Sequence, residues 1–207
     1  MIVQKIEFTD IFAANCYFYI DEKSGQGVVI DPSAHADKLL KTIRKNNWKI
    51  EKILLTHSHL DHIKAVLALS TELNVPYFGS AEAAKYLSSP DFQAHFTNWD
   101  VVKNISHLED GTIIKVGSCE LKMIYTPGHT LDSCIYYDEK NGIAFTGDTI
   151  FKNGIGRTDI EGSGGNEQIL RQNIRMKILT LPEQTILYPG HGAPTTVGTE
   201  KNFLLKS

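Results

Sequence analysis

The sequence predicts an α/β sandwich. Short apolar blocks rich in β-branched and aromatic residues recur along the chain, and amphipathic helical patterns lie between some of them. A third observation locates the chemistry: several of these blocks end in a side chain able to hold a metal ion.

The blocks that read as strands are residues 15–20, 27–30, 53–55, 113–116, 121–125, 134–137, 143–145 and 185–188. The helical patterns are 37–46, with Leu39, Leu40 and Ile43 on one side, 62–73, with Ile63, Val66, Leu67 and Leu69, and 167–179, with Ile169, Leu170, Ile174 and Ile178. Glycines crowd residues 154–165, which therefore read as a loop. Residues 81–100 carry Tyr86, Phe92, Phe96 and Trp99 among polar neighbours. They fit a lid over a site or a helical pair packed on the surface, and packing is favoured because aromatic side chains usually bury for stability.

With 207 residues and no shift in composition resembling a linker, one domain spanning 1–207 is expected. Hydrophobic residues at 42% and charged residues at 22% are ordinary for a globular protein and argue against disorder. A net charge of -3 without any Lys/Arg cluster offers no footprint for nucleic acid or an anionic membrane. The N-terminus has no signal-peptide pattern, and no apolar run approaches 18 residues, so a cytoplasmic location is expected. Cys16, Cys119 and Cys134 form no CxxC pair; Cys16 and Cys134 open apolar runs and read as core thiols.

The chemistry concentrates in Thr-His-Ser-His-Leu-Asp-His, residues 56–62, which follow the apolar run 53–55. His57 and His59 are two apart, so an extended backbone turns both to one face, whereas Asp61 and His62 fall where a helix should begin. ILLTHSH, MIYTPGH, IAFTGD and TILYPGH each run from apolar residues into a metal-capable side chain, and VVIDP adds a fifth such end. Strand ends joined by tight turns put polar groups on the rim of a sheet, where separate stretches can converge on one cleft. Histidine nitrogen with carboxylate oxygen suits zinc, with iron or manganese also compatible, and no cysteine is placed to close a structural zinc site. Such a site keeps an open position for chemistry.

T-H-S-H-L-D-H, T-P-G-H-T, T-G-D-T and P-G-H-G, in this order, resemble the metal motifs of the metallo-β-lactamase superfamily. The resemblance implies an αβ/βα four-layer sandwich of two mixed β-sheets flanked by helices, with two divalent metals at its edge. It implies that His57, His59 and His129 hold the first metal, that Asp61, His62 and His191 hold the second, and that Asp148 bridges both. Asp31 would support the ligand histidines from behind. Asp61 and Asp148, with a hydroxide bridging the metals, would form the reacting centre.

Within that superfamily, F-K-N-G-I-G-R-T-D and Y-P-G-H-G-A-P-T-T-V-G are similar to the short single-domain glyoxalase II-like hydrolases. The implied activity is hydrolysis of a thioester, S-acyl-glutathione or similar. Arg157 stands where a basic residue holds the glutathione moiety, and it equally suits a loop salt bridge with Asp159. Three features depart from glyoxalase II. Thr158-Asp159 replaces an aromatic glutathione contact, Leu131-Asp132 replaces Pro-Gly, and the C-terminal helical domain is not expected. Asp132 should also disfavour an anionic group on its side.

A thiolate leaving group needs little protonation because thiol pKa values lie near 8.5. Amide or phosphodiester cleavage would call on Tyr188 or His35, although His35, His95 and His107 read as surface histidines. Two other functions fit the same residues. A persulfide dioxygenase would use a single iron held by His57, His129 and Asp148, and a non-enzymatic metal-binding module would show closed coordination.

Overall fold

The computed structural model describes residues 1–8, 14–87 and 105–204. Its frame is two six-stranded sheets. In the first, β1 (Ile2–Glu7), β2 (Asn15–Ile20) and β3 (Gln26–Ile30) run antiparallel to one another, then β4 (Lys49–Leu54), β5 (Tyr77–Ser80) and β6 (Ser106–Leu108) continue parallel to β3. The second sheet has β7 (Ile113–Val116), β8 (Cys119–Tyr125), β9 (Cys134–Asp138) and β10 (Ile143–Gly147) antiparallel in sequence. A short hairpin, β11 (Ile150–Phe151) with β12 (Gly154–Ile155), follows β10. Then β13 (Ile186–Pro189) adds parallel to β10, and β14 (Thr195–Thr196) closes the edge.

The period-2 alternation of the central strands sorts their side chains into layers. Along β2, Cys16, Phe18 and Ile20 face a helix layer, whereas Tyr17 and Tyr19 face the other sheet. The helix layer is α1 (Ala36–Lys45) and α3 (Val66–Leu73), which contribute Leu39, Ile43, Val66 and Leu69. Between the sheets lie Val28, Ile30 and Leu54 against Leu121, Met123, Cys134, Tyr136 and Phe145. On the far side, Ile135, Tyr137, Ala144 and Leu187 pack against α5 (Glu167–Asn173), its extension to residue 178, and α6 (Val197–Leu204). The result is a helix, sheet, sheet, helix sandwich, and its strands are buried on both faces, which explains their continuous apolar runs.

Three differences from the sequence expectations have physical causes. The helix expected over 62–73 is two: α2 (Leu60–Ile63) and α3, because the amide of Ala65 donates to Pro32 O at 2.9 Å instead of to its own helix. The helix expected over 167–179 leaves α geometry after Asn173 and becomes a π-helical turn, Ile174–Ile178, closed by Leu179 N–H to Ile174 O at 2.9 Å. Strands β1, β5 and β6 escaped the apolar-block criterion. Polar residues interrupt β1 and β6, and β5 is a four-residue piece behind Pro76. Part of the loop expected over 154–165 is β12.

Cys16 and Cys134 are buried thiols, as expected. Helix α4 (Ala81–Leu87) opens the 81–100 segment and packs Leu87 and Tyr86 on the first helix layer. Phe92, His95, Phe96 and Trp99 lie outside the described residues. His107 is an exposed residue of β6, but His35 is not a surface histidine: it precedes α1 in a left-handed conformation, half-buried, with its ring 5.2 Å from that of Phe8. Among the described residues, no helix is long and apolar enough to cross a membrane.

Candidate metal centre

The carboxyl ends of β3, β4, β8, β10 and β13 meet at one end of the sandwich. Main-chain bonds sew the sheets together there: Cys134 N–H donates to Thr56 O at 2.8 Å and Asn15 N–H to Gly190 O at 2.6 Å. Because the chain leaves each sheet at this edge, the polar side chains that follow the strands point into a shared space.

His57, His59 and His129 form the first donor group. His57 Nε2 lies 3.1 Å from His59 Nδ1, which in turn lies 3.0 Å from His129 Nε2. Ligand atoms around a tetrahedral ion, at about 2.0–2.1 Å from it, sit roughly 3.4 Å apart. The second group is Asp61, His62 and His191, with His191 Nε2 3.2 Å from Asp61 Oδ2 and His62 Nε2 3.7 Å from the same oxygen. Within each group the ligand atoms lie within 4.8 Å of one another, as they also do for Asp31, His57 and His62. Asp148 stands between the groups. Its Oδ1 is 3.4 Å from His62 Nε2, and its Oδ2 is 3.5 Å from His129 Nε2 and 3.4 Å from His191 Nε2.

The hydrogen bonds behind these side chains fix which ring nitrogens carry lone pairs. His129 Nδ1–H donates to the carbonyl of Arg157 at 2.6 Å, so Nε2 is bare and faces the cleft. His62 Nδ1–H donates to Asp31 Oδ2 at 2.9 Å, which leaves Nε2 as the nitrogen that faces the cleft. Five buried side-chain polar atoms among the described residues lack a hydrogen-bond partner, and three of them, His59 Nε2, His62 Nε2 and Asp148 Oδ1, are here. Buried orphans are rare because each leaves its desolvation uncompensated. In the first group three ring nitrogens, His57 Nε2, His59 Nδ1 and His129 Nε2, converge, and a cation among them would accept a lone pair from each. The donor set therefore fits divalent metals.

The two groups differ in electrostatics. Burial, reinforced by neighbouring His62 and His59, holds His57 well below the usual imidazole pKa. Burial and His129 lower His59 to about 4, and burial also lowers His129. Burial opposes charge on His62 as well, yet Asp148 and Asp31 overcome it and hold His62 well above the usual value. His191 is likewise raised to about 9, its burial outweighed by hydrogen bonds to Asp148 and Asp61. The carboxylates answer in kind: despite burial, His62 and His191 hold Asp148 well below its usual range, and His191 lowers Asp61.

All seven expected donors thus lie together, with Asp31 behind them. Asp31 has φ 48, a costly conformation for a residue with a Cβ, and it accepts the amide of Thr56 at 2.7 Å as well as His62. The side chain of Arg157 is elsewhere. It forms a two-pronged bond to Asp159, at 2.9 and 3.2 Å, with the two side chains 72% and 71% exposed. What Arg157 offers the centre is its carbonyl. That approach depends on Gly156, where a Cβ would stand 1.9 Å from Asp148 O and 2.9 Å from His129 Nδ1.

Asp132 corrects an expectation. It does not line the cleft surface, because it is buried and accepts the hydroxyl of Ser58, tying the His57–His59 loop to the loop after His129. Burial pushes its carboxyl pKa up. Tyr188 packs its ring on Phe145 and Tyr17, with centroids at 5.5 and 5.6 Å, and burial raises its phenol.

The sequence reading missed the groups that hold the Thr-Pro-Gly-His loop from outside. Asn166 N–H donates to Gly128 O at 2.7 Å, Asn173 Nδ2 to Pro127 O at 2.8 Å and Lys177 Nζ to Tyr125 O at 2.5 Å. Three successive supports thus come from α5 and its π-helical turn. Only Asn166 carried a legible signal, as a polar N-cap before a helical pattern; its side chain caps Ile169 N–H at 3.0 Å.

Comparison with known proteins agrees with this geometry. A hydroxyacylglutathione hydrolase, GloC, of Haemophilus influenzae is 34% identical over 195 residues, 92% of this chain and 91% of its own. Among solved structures, BLEG-1, a B3 metallo-beta-lactamase, superposes with TM-score 0.87 at 32% identity, covering 97% of each chain. TTHA1623, in a di-iron-bound form, gives 0.83 at 27%, covering 97% of this chain and 98% of its own. ETHE1 from Myxococcus xanthus gives 0.82 at 28%, covering 98% and 83%. Residues 9–191 match the profile of the Metallo-beta-lactamase superfamily, and the chain belongs to that superfamily.

Proposed function

We propose that this protein is a dinuclear metal-dependent hydrolase that cleaves a thioester of the S-acyl-glutathione type. His57, His59 and His129 would hold one ion and Asp61, His62 and His191 the other, with Asp148 shared. The observation that carries this reading is the pair of donor groups joined by one carboxylate, with buried lone pairs converging on the same cleft. Two divalent ions there would supply a water activated at neutral pH and a Lewis acid for the carbonyl oxygen.

The chain's own residues do the rest. Asp61 and Asp148 offset two of the four positive charges, which leaves a net attraction for an anionic or polarised substrate. The Arg157 carbonyl and Asp31 hold His129 and His62 in one tautomer each, so both present Nε2 to the cleft. Neither side chain considered as a leaving-group acid is placed for that work: Tyr188 is packed on Phe145, and His35 on Phe8. A thiolate leaves without an acid, whereas an amine or alkoxide needs one, so the geometry favours a thioester.

A small-molecule substrate in the cytoplasm, with zinc as the resident metal, completes the proposal. The test is metal-resolved mass spectrometry beside a panel of S-acyl-glutathione and other acyl thioesters. Two ions per chain with oxygen-independent hydrolysis is the expected result. One iron per chain with oxygen uptake on a persulfide would assign the protein to dioxygenase chemistry instead, and full activity after chelation would end the hydrolytic scheme.

A further inference from the structure

We infer that Thr56 is a positioning residue through which one oxygen of Asp31 serves both donor groups. The inference rests on the metal reading above and adds a residue that the metal motifs leave without a role. Thr56 Oγ1 lies 2.5 Å from Asp31 Oδ2 and 3.1 Å from His57 Nδ1. A hydroxyl has one proton, and the carboxylate oxygen can only accept it. The hydroxyl therefore donates to Asp31 and must accept at its other contact, so His57 carries its proton on Nδ1.

That assignment leaves His57 Nε2 bare, facing His59 Nδ1 at 3.1 Å. The same Asp31 Oδ2 accepts His62 Nδ1–H at 2.9 Å. One oxygen thus fixes His62 directly and His57 through a single hydroxyl. All four groups are essentially buried, so water does not substitute for the hydroxyl. The Thr56 amide, bonded to Asp31 Oδ1 at 2.7 Å, holds the carboxylate in place independently of the side chain. The hydroxyl therefore acts on the first group alone, while Asp31 acts on both. Partners in this position change metal affinity by about 10- to 100-fold.

The test uses zinc titration of chelator-stripped protein, read by native mass spectrometry, in two single-site backgrounds. In His191→Ala, which keeps the first group, adding Thr56→Val is expected to weaken zinc about 10- to 100-fold. In His59→Ala, which keeps the second group, the same change is expected to leave zinc affinity as it was. Thr56→Ser should restore the first site, and Asp31→Asn should weaken both. Thr56→Ala, which keeps the amide and adds no volume, replaces Thr56→Val if that variant loses its far-UV circular dichroism. Equal weakening in both backgrounds, no weakening in either, or failure of Thr56→Ser to restore binding would overturn the inference. Wild-type protein that takes up no zinc, iron or manganese would instead overturn the metal reading itself.

Discussion

The two donor groups lie within a few ångströms of each other and share Asp148, yet they are built on opposite electrostatic plans. The first is three histidines whose pKa values are held down by burial and by one another. The second embeds two histidines among Asp31, Asp61 and Asp148, which push their pKa values up. A cation meets ready lone pairs in the first group, and in the second it must displace protons. The general lesson is that adding carboxylates to a site increases its attraction for metal and for protons together, so affinity becomes dependent on pH.

Removing the shared carboxylate has the largest expected effect. Asp148→Ala should release both ions and lower thioester turnover by about 10³-fold or more, the equivalent of several kcal/mol of transition-state stabilisation. Metal analysis and steady-state kinetics on the same preparation check it. Retention of one ion with His62 and His191 intact would show that the groups are less joined than the geometry says.

Filling the space behind the shared carboxylate comes next. Gly156→Ala should destabilise the fold by about 1–3 kcal/mol, measured by denaturant unfolding, because the new methyl overlaps Asp148 O. His129 should lose its main-chain partner at the same time, so the first ion should bind more weakly.

The pH prediction separates the groups directly. The raised pKa of His191, about 9, means that its proton competes with the second ion progressively as pH falls below that value. His59, lowered to about 4, offers no such competition until the solution is far more acidic. Zinc stoichiometry followed from pH 9 downward should therefore pass from two towards one before it reaches zero, and simultaneous loss of both ions would break the comparison. In the metal-free protein the sign is reversed. A charged His191 stabilises the fold below the ordinary histidine pKa of about 6.5, and that contribution disappears as pH rises through about 9.

The smallest effect is expected at Arg157. Arg157→Ala removes an exposed ion pair that solvent screens and leaves the carbonyl that holds His129. Zinc content should be unchanged and KM for an acyl-glutathione should move less than about threefold. A larger rise in KM would return the guanidinium to the substrate.

The layers and the donors were legible in the sequence for the same reason: both depend on local patterns. A strand buried on two faces must read as an apolar run, as residues 15–20 and 143–145 do, and a histidine two residues from another on extended backbone must share its face. What stayed hidden depends on distant partners. Nothing near Ala65 foretells that Pro32 will claim its amide and break the helix. Nothing near Asp132 foretells that Ser58, 74 residues away, will draw its carboxyl inside. Arg157 was recognised by its side chain, and its contribution to the centre is main chain, which sequence pattern does not encode.

Gly156 and Gly190 both lie tight against Asp148. A Cβ at Gly190 would stand 2.1 Å from Asp148 Oδ1 and 2.6 Å from His62 Cε1, as a Cβ at Gly156 would meet the main chain of Asp148. At these two positions there is no volume left for a side chain. Variation in what this scaffold accepts is therefore expected from the solvent side, where Leu131, two residues from His129, is exposed. Libraries aimed at a new substrate are best confined to that rim.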